Sequence, residues 1–296
     1  MRIVTRPDFD GIVCAALLYD ALDVKQPVLW VTPGDMQKKN VPIKEGDIIA
    51  NLPYHPECEL WFDHHHSNRI GTPFGGLFMI APSAAGLVFE YYRTSLKRDY
   101  RELITATDKI DSADLNMDEI LHPQKYPYIW LSMTVNPQDP GEISYWNHLI
   151  DLLRTEKIFR IMSDPRVKKR CARLAATGDG YKTDLLANTR VEDQVAITDF
   201  RNFNKIPDGN RFLVYSLFPE VVVAVKIRYQ GDKRQNVAVN VGHSIVNRNC
   251  AVNVGELLSR FEGGGHRGAG ACTFAAEKAN DYIPKILDAL KRNQPL

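Results

Sequence analysis

Phe62-Asp63-His64-His65-His66 follows one short apolar run, and Asp8-Phe9-Asp10-Gly11 follows another near the N-terminus. Carboxylates and imidazoles delivered at strand ends are what a divalent-metal site requires. Oxygen ligands hold Mg2+ or Mn2+, and a neutral imidazole moves the preference toward a transition metal such as Mn2+. Asp8 and Asp10 stand at i and i+2, so in extended backbone both carboxylates project to one side. Gly11 then permits a tight entry into a helix, whose positively polarised N-terminus can receive a phosphate oxygen. Taken alone, Asp-x-Asp-Gly is more often a turn or a helix cap. The histidine run reads either as an exposed polar turn or as metal ligation. Ligation needs a neutral imidazole with its second nitrogen held by an acceptor. Asp108, Asp111 and Asp114 form a further acidic group. On a helix Asp108 and Asp111 share a face, either as a solvated helix end or as the carboxylate that completes the ion site.

A second chemical segment lies far downstream, at Gly263-Gly264-Gly265-His266-Arg267-Gly268. Consecutive glycines let backbone N–H groups approach an anion without Cβ obstruction. His266 and Arg267 add donors suited to phosphate. Upstream, Gly242 to Asn249 offers hydroxyl, imidazole, amide and, at Arg248, guanidinium groups; an ordinary polar loop explains it equally well.

These residues need elements to position them. Ile3-Val4-Thr5, Val28 to Val31, Asp47 to Ala50 and Leu60-Trp61-Phe62 read as strands, and Gly11 to Leu22 as a helix apolar almost all round. Such alternation predicts an α/β fold with a mostly parallel sheet and helices on both faces. In an open parallel sheet, ligands bind at the carboxyl ends of the strands. Asp8 and Asp10, Asn51, and Asp63 with its histidines all follow strands, which places them at one edge. Ser83 caps a further helix. Residues 117 to 190 read as mainly helical, punctuated by Pro137, Pro140 and Pro165. The last third is strand-rich, with Arg211 to Phe218 and Val221 to Tyr229 read as neighbouring strands. Val254 to Phe261 and Asp281 to Arg292 read as helices. This predicts a domain over 1–188 and a smaller α/β domain with a mixed sheet over 189–296.

Composition sets bounds on the function. At 296 residues, 44% hydrophobic and 25% charged, the chain is an ordinary globular one with room for two domains. A formal net charge of +1 lacks the basic excess expected for binding long DNA. Five scattered cysteines without a CxxC pair argue against a disulfide framework or a zinc knuckle. No apolar run approaches the ~20 residues needed to span a bilayer, and no signal peptide is apparent. A cytoplasmic protein is expected.

Asp8-Phe9-Asp10-Gly11, Asp63-His64-His65 and Gly263-Gly264-Gly265-His266, in that order, resemble the DHH/DHHA1 phosphoesterase superfamily (nanoRNase, exopolyphosphatase-like and RecJ-like proteins). The resemblance covers nearly the whole chain and is weakest between about 117 and 190. It implies a DHH metal-binding catalytic domain followed by a DHHA1 substrate-binding domain. It implies Mn2+ as cofactor, as one or two ions, with Mg2+ as the substitute. The implied metal ligands are Asp8, Asp10, Asn51, His64 and Asp108, with Asp111 in reserve. His65 would face substrate and Asp63 would orient it. Arg6, Arg248, Gly263, Gly264, Gly265, His266 and Arg267 would hold phosphate. Two positions depart from the pattern. A histidine usually precedes the paired aspartates, where this chain has Val4 and Arg6. An aspartate usually ends the third strand, where it has Asn51, a neutral and poor bridge between dications. His55 or His66 are the available substitutes. The expected function is hydrolysis of short oligonucleotides, nucleoside phosphates or polyphosphate by a Mn-dependent phosphohydrolase or phosphodiesterase, nucleic acid binding included. The alternative is a phosphate-ligand (nucleotide) binding or regulatory protein with a degenerate metal site. The expected partner is a phosphorylated small molecule or short oligonucleotide, with no long DNA and no membrane; a homodimer stays open.

Overall fold

Short apolar runs bounded by turn residues form the strands of the first half, as their length requires. The structure, a computed structural model, describes all residues except 39, 137–139, 208 and 232; Pro137 therefore lies outside the described residues. The chain runs through β1 (Arg2–Thr5), α1 (Phe9–Ala21), β2 (Leu29–Trp30), α2 (Pro33–Gln37), β3 (Asp47–Ala50), β4 (Leu60–Asp63) and β5 (Gly76–Phe78). Helices follow: α3 (Ala84–Tyr91), α4 (Arg101–Asp111), α5 (Met117–Leu121), α6 (Pro127–Ser132), α7 (Ile143–Thr155), α8 (Ile158–Ile161) and α9 (Pro165–Asn188). It continues with β6 (Thr189–Glu192), β7 (Val195–Asp199), α10 (Leu213–Leu217), β8 (Val223–Gln230) and β9 (Asn236–His243). The last elements are α11 (Val254–Ser259), β10 (Gly263–Gly265), β11 (Ala269–Ala275) and α12 (Ala279–Arg292). Backbone packing divides the chain into Met1–Leu115 with His122–Arg173, and Asn116–Leu121 with Leu174–Leu296. Helix α9 contributes to both units.

In the first unit five strands form a wholly parallel sheet in the order β2-β1-β3-β4-β5. Helix α1 is buried from Phe9 to Leu18, because it packs on β1 and β3 and is itself covered by α3, α4 and α7. That explains its lack of a polar face. The opposite face of the sheet packs Val4, Ile49 and Trp61 against Met36 of α2 and against Ile43, Leu52, Tyr54 and Phe74. Trp61 is fully buried and donates its indole N–H to Leu52 O at 2.8 Å. Strand β5, not apparent in the sequence, begins at Gly76 with φ +109°; a Cβ there would meet Trp61 O at 2.1 Å, so only glycine fits.

In the second unit the sheet order is β10-β11-β9-β8-β7-β6, with β7–β8 parallel and the other pairs antiparallel. Val223, Val225, Ile227, Val237, Val239 and Val241 alternate inward against Leu257 and Leu258 of α11 and Ile286 and Leu290 of α12. The strand expected over Arg211 to Phe218 is not formed. Its centre is the single-turn-scale helix α10, whose Val214 and Tyr215 pack with Phe212, Phe218 and Val221. A short apolar run fits either period, and here packing on β7 selects the helical one. No helix among the described residues is long and apolar enough to cross a membrane.

Candidate metal centre

Asp10 lies in the first turn of α1 and is 2% exposed. Its carboxylate accepts the N–H groups of Ala84 at 3.0 Å and Ala85 at 2.8 Å, at the start of α3. That helix begins where Ser83, the cap legible in the sequence, accepts from Gly86 N at 2.9 Å. The positive end of α3 thus fixes a buried carboxylate. His64 leaves β4 and is also buried. Its Nδ1 lies 3.0 Å from Ala81 O. A carbonyl only accepts, so Nδ1 carries the proton and Nε2 is the nitrogen aimed into the site. Nε2 stands 3.8 Å from Asp10 and 3.4 Å from Asp111.

Asp10, His64 and Asp111 bring ligand atoms within 4.8 Å of one another. Two carboxylates and an imidazole suit Mn2+ or a similar dication. The electrostatics agree. Burial, with Asp111 and Asp8 adding to it, pushes Asp10 up to about 8. The His64 imidazole is shifted upward: burial opposes the shift, but Asp10 and Asp111 outweigh it. Asp10 and Asp111 thus oppose one another's charge, and both favour a positive charge at His64. Of the two carboxylates that α4 offers, Asp111 enters this group. Asp108 instead accepts from Ser83 Oγ at 2.5 Å, and its pKa is raised by burial, opposed by Ser83 and His64.

Asp8 is differently engaged. It caps α1, with Oδ1 accepting from Gly11 N at 2.9 Å and from Asn51 Nδ2 at 2.9 Å. Its Oδ2 pairs with Arg6 Nε at 2.8 Å. The Arg6 guanidinium is held charged by Asp8 first, against desolvation, with Asp111, Asp10 and Asp63 adding to it. Asn51 follows β3 in the left-handed region, φ 56°, a conformation that asparagine tolerates. A carboxylate only accepts, so the Asn51 amide nitrogen must face Asp8. Its Oδ1 is buried without a hydrogen-bond partner. The turn is tight because Gly11 has no side chain: a Cβ would sit 2.0 Å from Arg6 O.

Asp63, fully buried, accepts from His65 Nδ1 at 2.7 Å and from Asn68 Nδ2 at 2.7 Å. This fixes the His65 tautomer and directs its Nε2 away from Asp63. Ser83, Asn68 and the Ala84 and Ala85 amides were not marked as site groups by the sequence; the cap at Ser83 was the one signal pointing to them. His55 Nδ1 accepts from Glu57 N at 3.3 Å, and His66 is exposed in a single 3-10 turn. Among the described residues neither joins the Asp10 group.

In the second unit the glycine run is a strand. Gly263 and Gly265 face β11 so closely that a Cβ on either would meet a carbonyl oxygen at 2.3 Å. Gly264 has open space. The following loop is pinned by His266 N to Ala269 O at 2.7 Å, Gly255 N to His266 O at 2.8 Å and Val254 N to Arg267 O at 2.9 Å. The ladder holds His266 and Arg267 beside the start of α11. Arg248 lies in the exposed segment after β9, its Nε donating to Ile245 O at 3.3 Å.

No protein-family model matches the sequence, and no curated protein does. Among solved structures the chain is similar to the pGpG-specific phosphodiesterase PggH from Vibrio cholerae, at 32% identity and a TM-score of 0.74, over 99% of each chain. The chain belongs to the DHH phosphoesterase family. Its DHH triplet is Asp63-His64-His65. Two more distant structures share the DHH fold. One is the DHH domain of a member of the s1p family of ribosomal proteins, at 12% identity and a TM-score of 0.63, over 99% of this chain and 87% of that one. The other is RecJ in complex with Mn2+ from Thermus thermophilus, at 14% identity and a TM-score of 0.55, over all of this chain and 53% of that one.

Proposed function

We propose that this DHH protein is a divalent-metal-dependent phosphodiesterase that hydrolyses a short linear nucleotide of the pGpG kind. The observation that carries the reading is the convergence of Asp10, His64 and Asp111. The 32% identity to a pGpG-specific phosphodiesterase over nearly the whole chain supports the substrate class. A near-neutral net charge also suits a substrate with few phosphates better than a long strand.

Asp10, His64 and Asp111 would hold Mn2+ or Mg2+, which supplies an acidified water and neutralises charge at the phosphoryl group. The α3 amides fix Asp10 before any ligand arrives, which lowers the cost of organising the site. His65, oriented by Asp63, offers Nε2 to a phosphate oxygen or to a proton in transfer. Arg6 contributes a fixed positive charge beside them. In the second unit His266, Arg267 and Arg248 are donors suited to phosphate, and Gly264 offers an open approach to its backbone.

The test is turnover of pGpG, of oligonucleotides of other lengths and of polyphosphate by the purified chain, with Mn2+ and with EDTA. Release of mononucleotide from pGpG, lost with EDTA and in Asp10→Ala, is expected. A chain inert toward all of them with Mn2+ present refutes the reading. The engagement of Asp8 by Arg6 and Asn51 favours one other reading, a nucleotide-binding or regulatory protein; calorimetric binding of pGpG that survives EDTA and yields no product selects it.

A further inference from the structure

We infer that this chain holds a single divalent ion, and that the Arg6 guanidinium is the resident cation of the other half of the site. The inference rests on reading Asp10, His64 and Asp111 as an ion site, and it adds what stands next to that ion.

The argument is one of lone pairs. A carboxylate presents about four acceptor positions. Asp8 has three of them engaged, by Gly11 N–H, by the Asn51 amide nitrogen and by Arg6 Nε. The donors are placed by the backbone around Asp8. Gly11 N–H belongs to the first turn of α1, which Asp8 caps. Asn51 is set by the left-handed end of β3 and by its N–H to Phe62 O at 2.9 Å. Arg6 follows β1 directly. A dication at Asp8 would have to displace a guanidinium and would face an amide N–H, which repels it. Asp10 is built differently. It accepts from two backbone amides and, at 3.9 Å, from Cys14 Sγ, with His64 Nε2 and the Asp111 carboxylate beside it and, among the described residues, no guanidinium or amide side chain on it.

Asn51 completes the contrast. Its nitrogen is committed to Asp8, and the buried Oδ1 that remains is neutral and without a donor. A neutral oxygen can accept from water or complete one ion's shell, but it does not offset the repulsion between two dications. Arg6 meets the need for positive charge without a second ion. Its planar fork suits phosphate, and with Nε on Asp8 the terminal nitrogens would be its donors to an incoming oxygen.

Metal content decides the matter without reference to turnover. The full chain is dialysed against Mn2+, and bound metal is counted by plasma mass spectrometry beside the Mn2+ electron paramagnetic resonance spectrum. One equivalent and an uncoupled, mononuclear spectrum are expected. Asp8→Asn, which keeps a capping side chain for α1, should retain that equivalent, its folding checked by thermal melting. Asp111→Asn should raise the Kd by about tenfold or more. Two equivalents, or an exchange-coupled spectrum, overturn the single-ion inference and leave the phosphodiesterase reading standing. Loss of the ion in a folded Asp8→Asn protein overturns it as well. No bound metal in the unaltered chain removes both readings.

Discussion

His64 Nε2 stands 3.4 Å from the Asp111 carboxylate, one residue leaving β4 and the other ending α4. Asp108, one turn earlier on that helix, is turned to Ser83 instead. The two acids should therefore differ on substitution. Asp111→Asn is expected to lower kcat by about 10²-fold or more and to weaken Mn2+ binding about tenfold. Asp108→Asn should cost about 1 kcal/mol of stability through the Ser83 contact, with a smaller loss of kcat. Steady-state kinetics on pGpG and thermal melting of both variants check this; the reverse order would make Asp108 the ligand.

Asp63 accepts from His65 Nδ1 at 2.7 Å, and in the proposed function it acts through that imidazole. Replacing it by asparagine keeps the shape but removes the obligate acceptor that selects the His65 tautomer. Asp63→Asn should lower kcat by about 10²-fold or more and move the pH–rate profile, while bound metal per chain stays unchanged. A variant that loses its metal as well would place Asp63 among the ligands.

Gly11→Ala puts a Cβ 2.0 Å from Arg6 O. The Arg6-Pro7-Asp8 turn must then move, at a cost of about 1–3 kcal/mol, and kcat should fall with it. The control is Gly178→Ala in α9, where the added Cβ meets nothing within 4 Å. An exposed helical glycine replaced by alanine should stabilise by about 0.4–1 kcal/mol. Chemical denaturation of both variants measures the difference; equal and opposite signs to these would mean that the turn yields freely.

Asp164 opens α9, accepting from Arg166 N at 2.8 Å, Val167 N at 3.1 Å and His148 Nε2 at 3.0 Å. Burial works to raise its pKa, but these donors outweigh it and the net shift is downward. The folded pKa lies below the unfolded one, so the contribution is complete above the unfolded value of about 3.9. It is lost as pH falls through the folded pKa. Asp164→Ala should cost about 1 kcal/mol at pH 7 and flatten the decline of stability on the acid side. Melting curves from pH 7 down to pH 3 report it, and a parallel decline in both proteins would count against the assignment.

Much of this site was legible in the chain. Apolar runs of strand length followed at once by Asp8 and Asp10, by Asn51 and by Asp63-His64 placed polar groups at one sheet edge, because strand direction in a parallel sheet is shared. The Ser83 cap and the need for glycine at position 11 were local matters, set by turn and helix chemistry within a few residues. The choice of Asp111 over Asp108 was not local. Both lie on α4, and only the packing of that helix against α1 and α3 decides which carboxylate reaches His64. Nor could the sequence pair Asp8 with both Arg6 and Asn51, or turn Leu213–Leu217 into a helix. Those outcomes depend on neighbours distant in the chain, and periodicity carries no information about which distant side chains will share a lone pair.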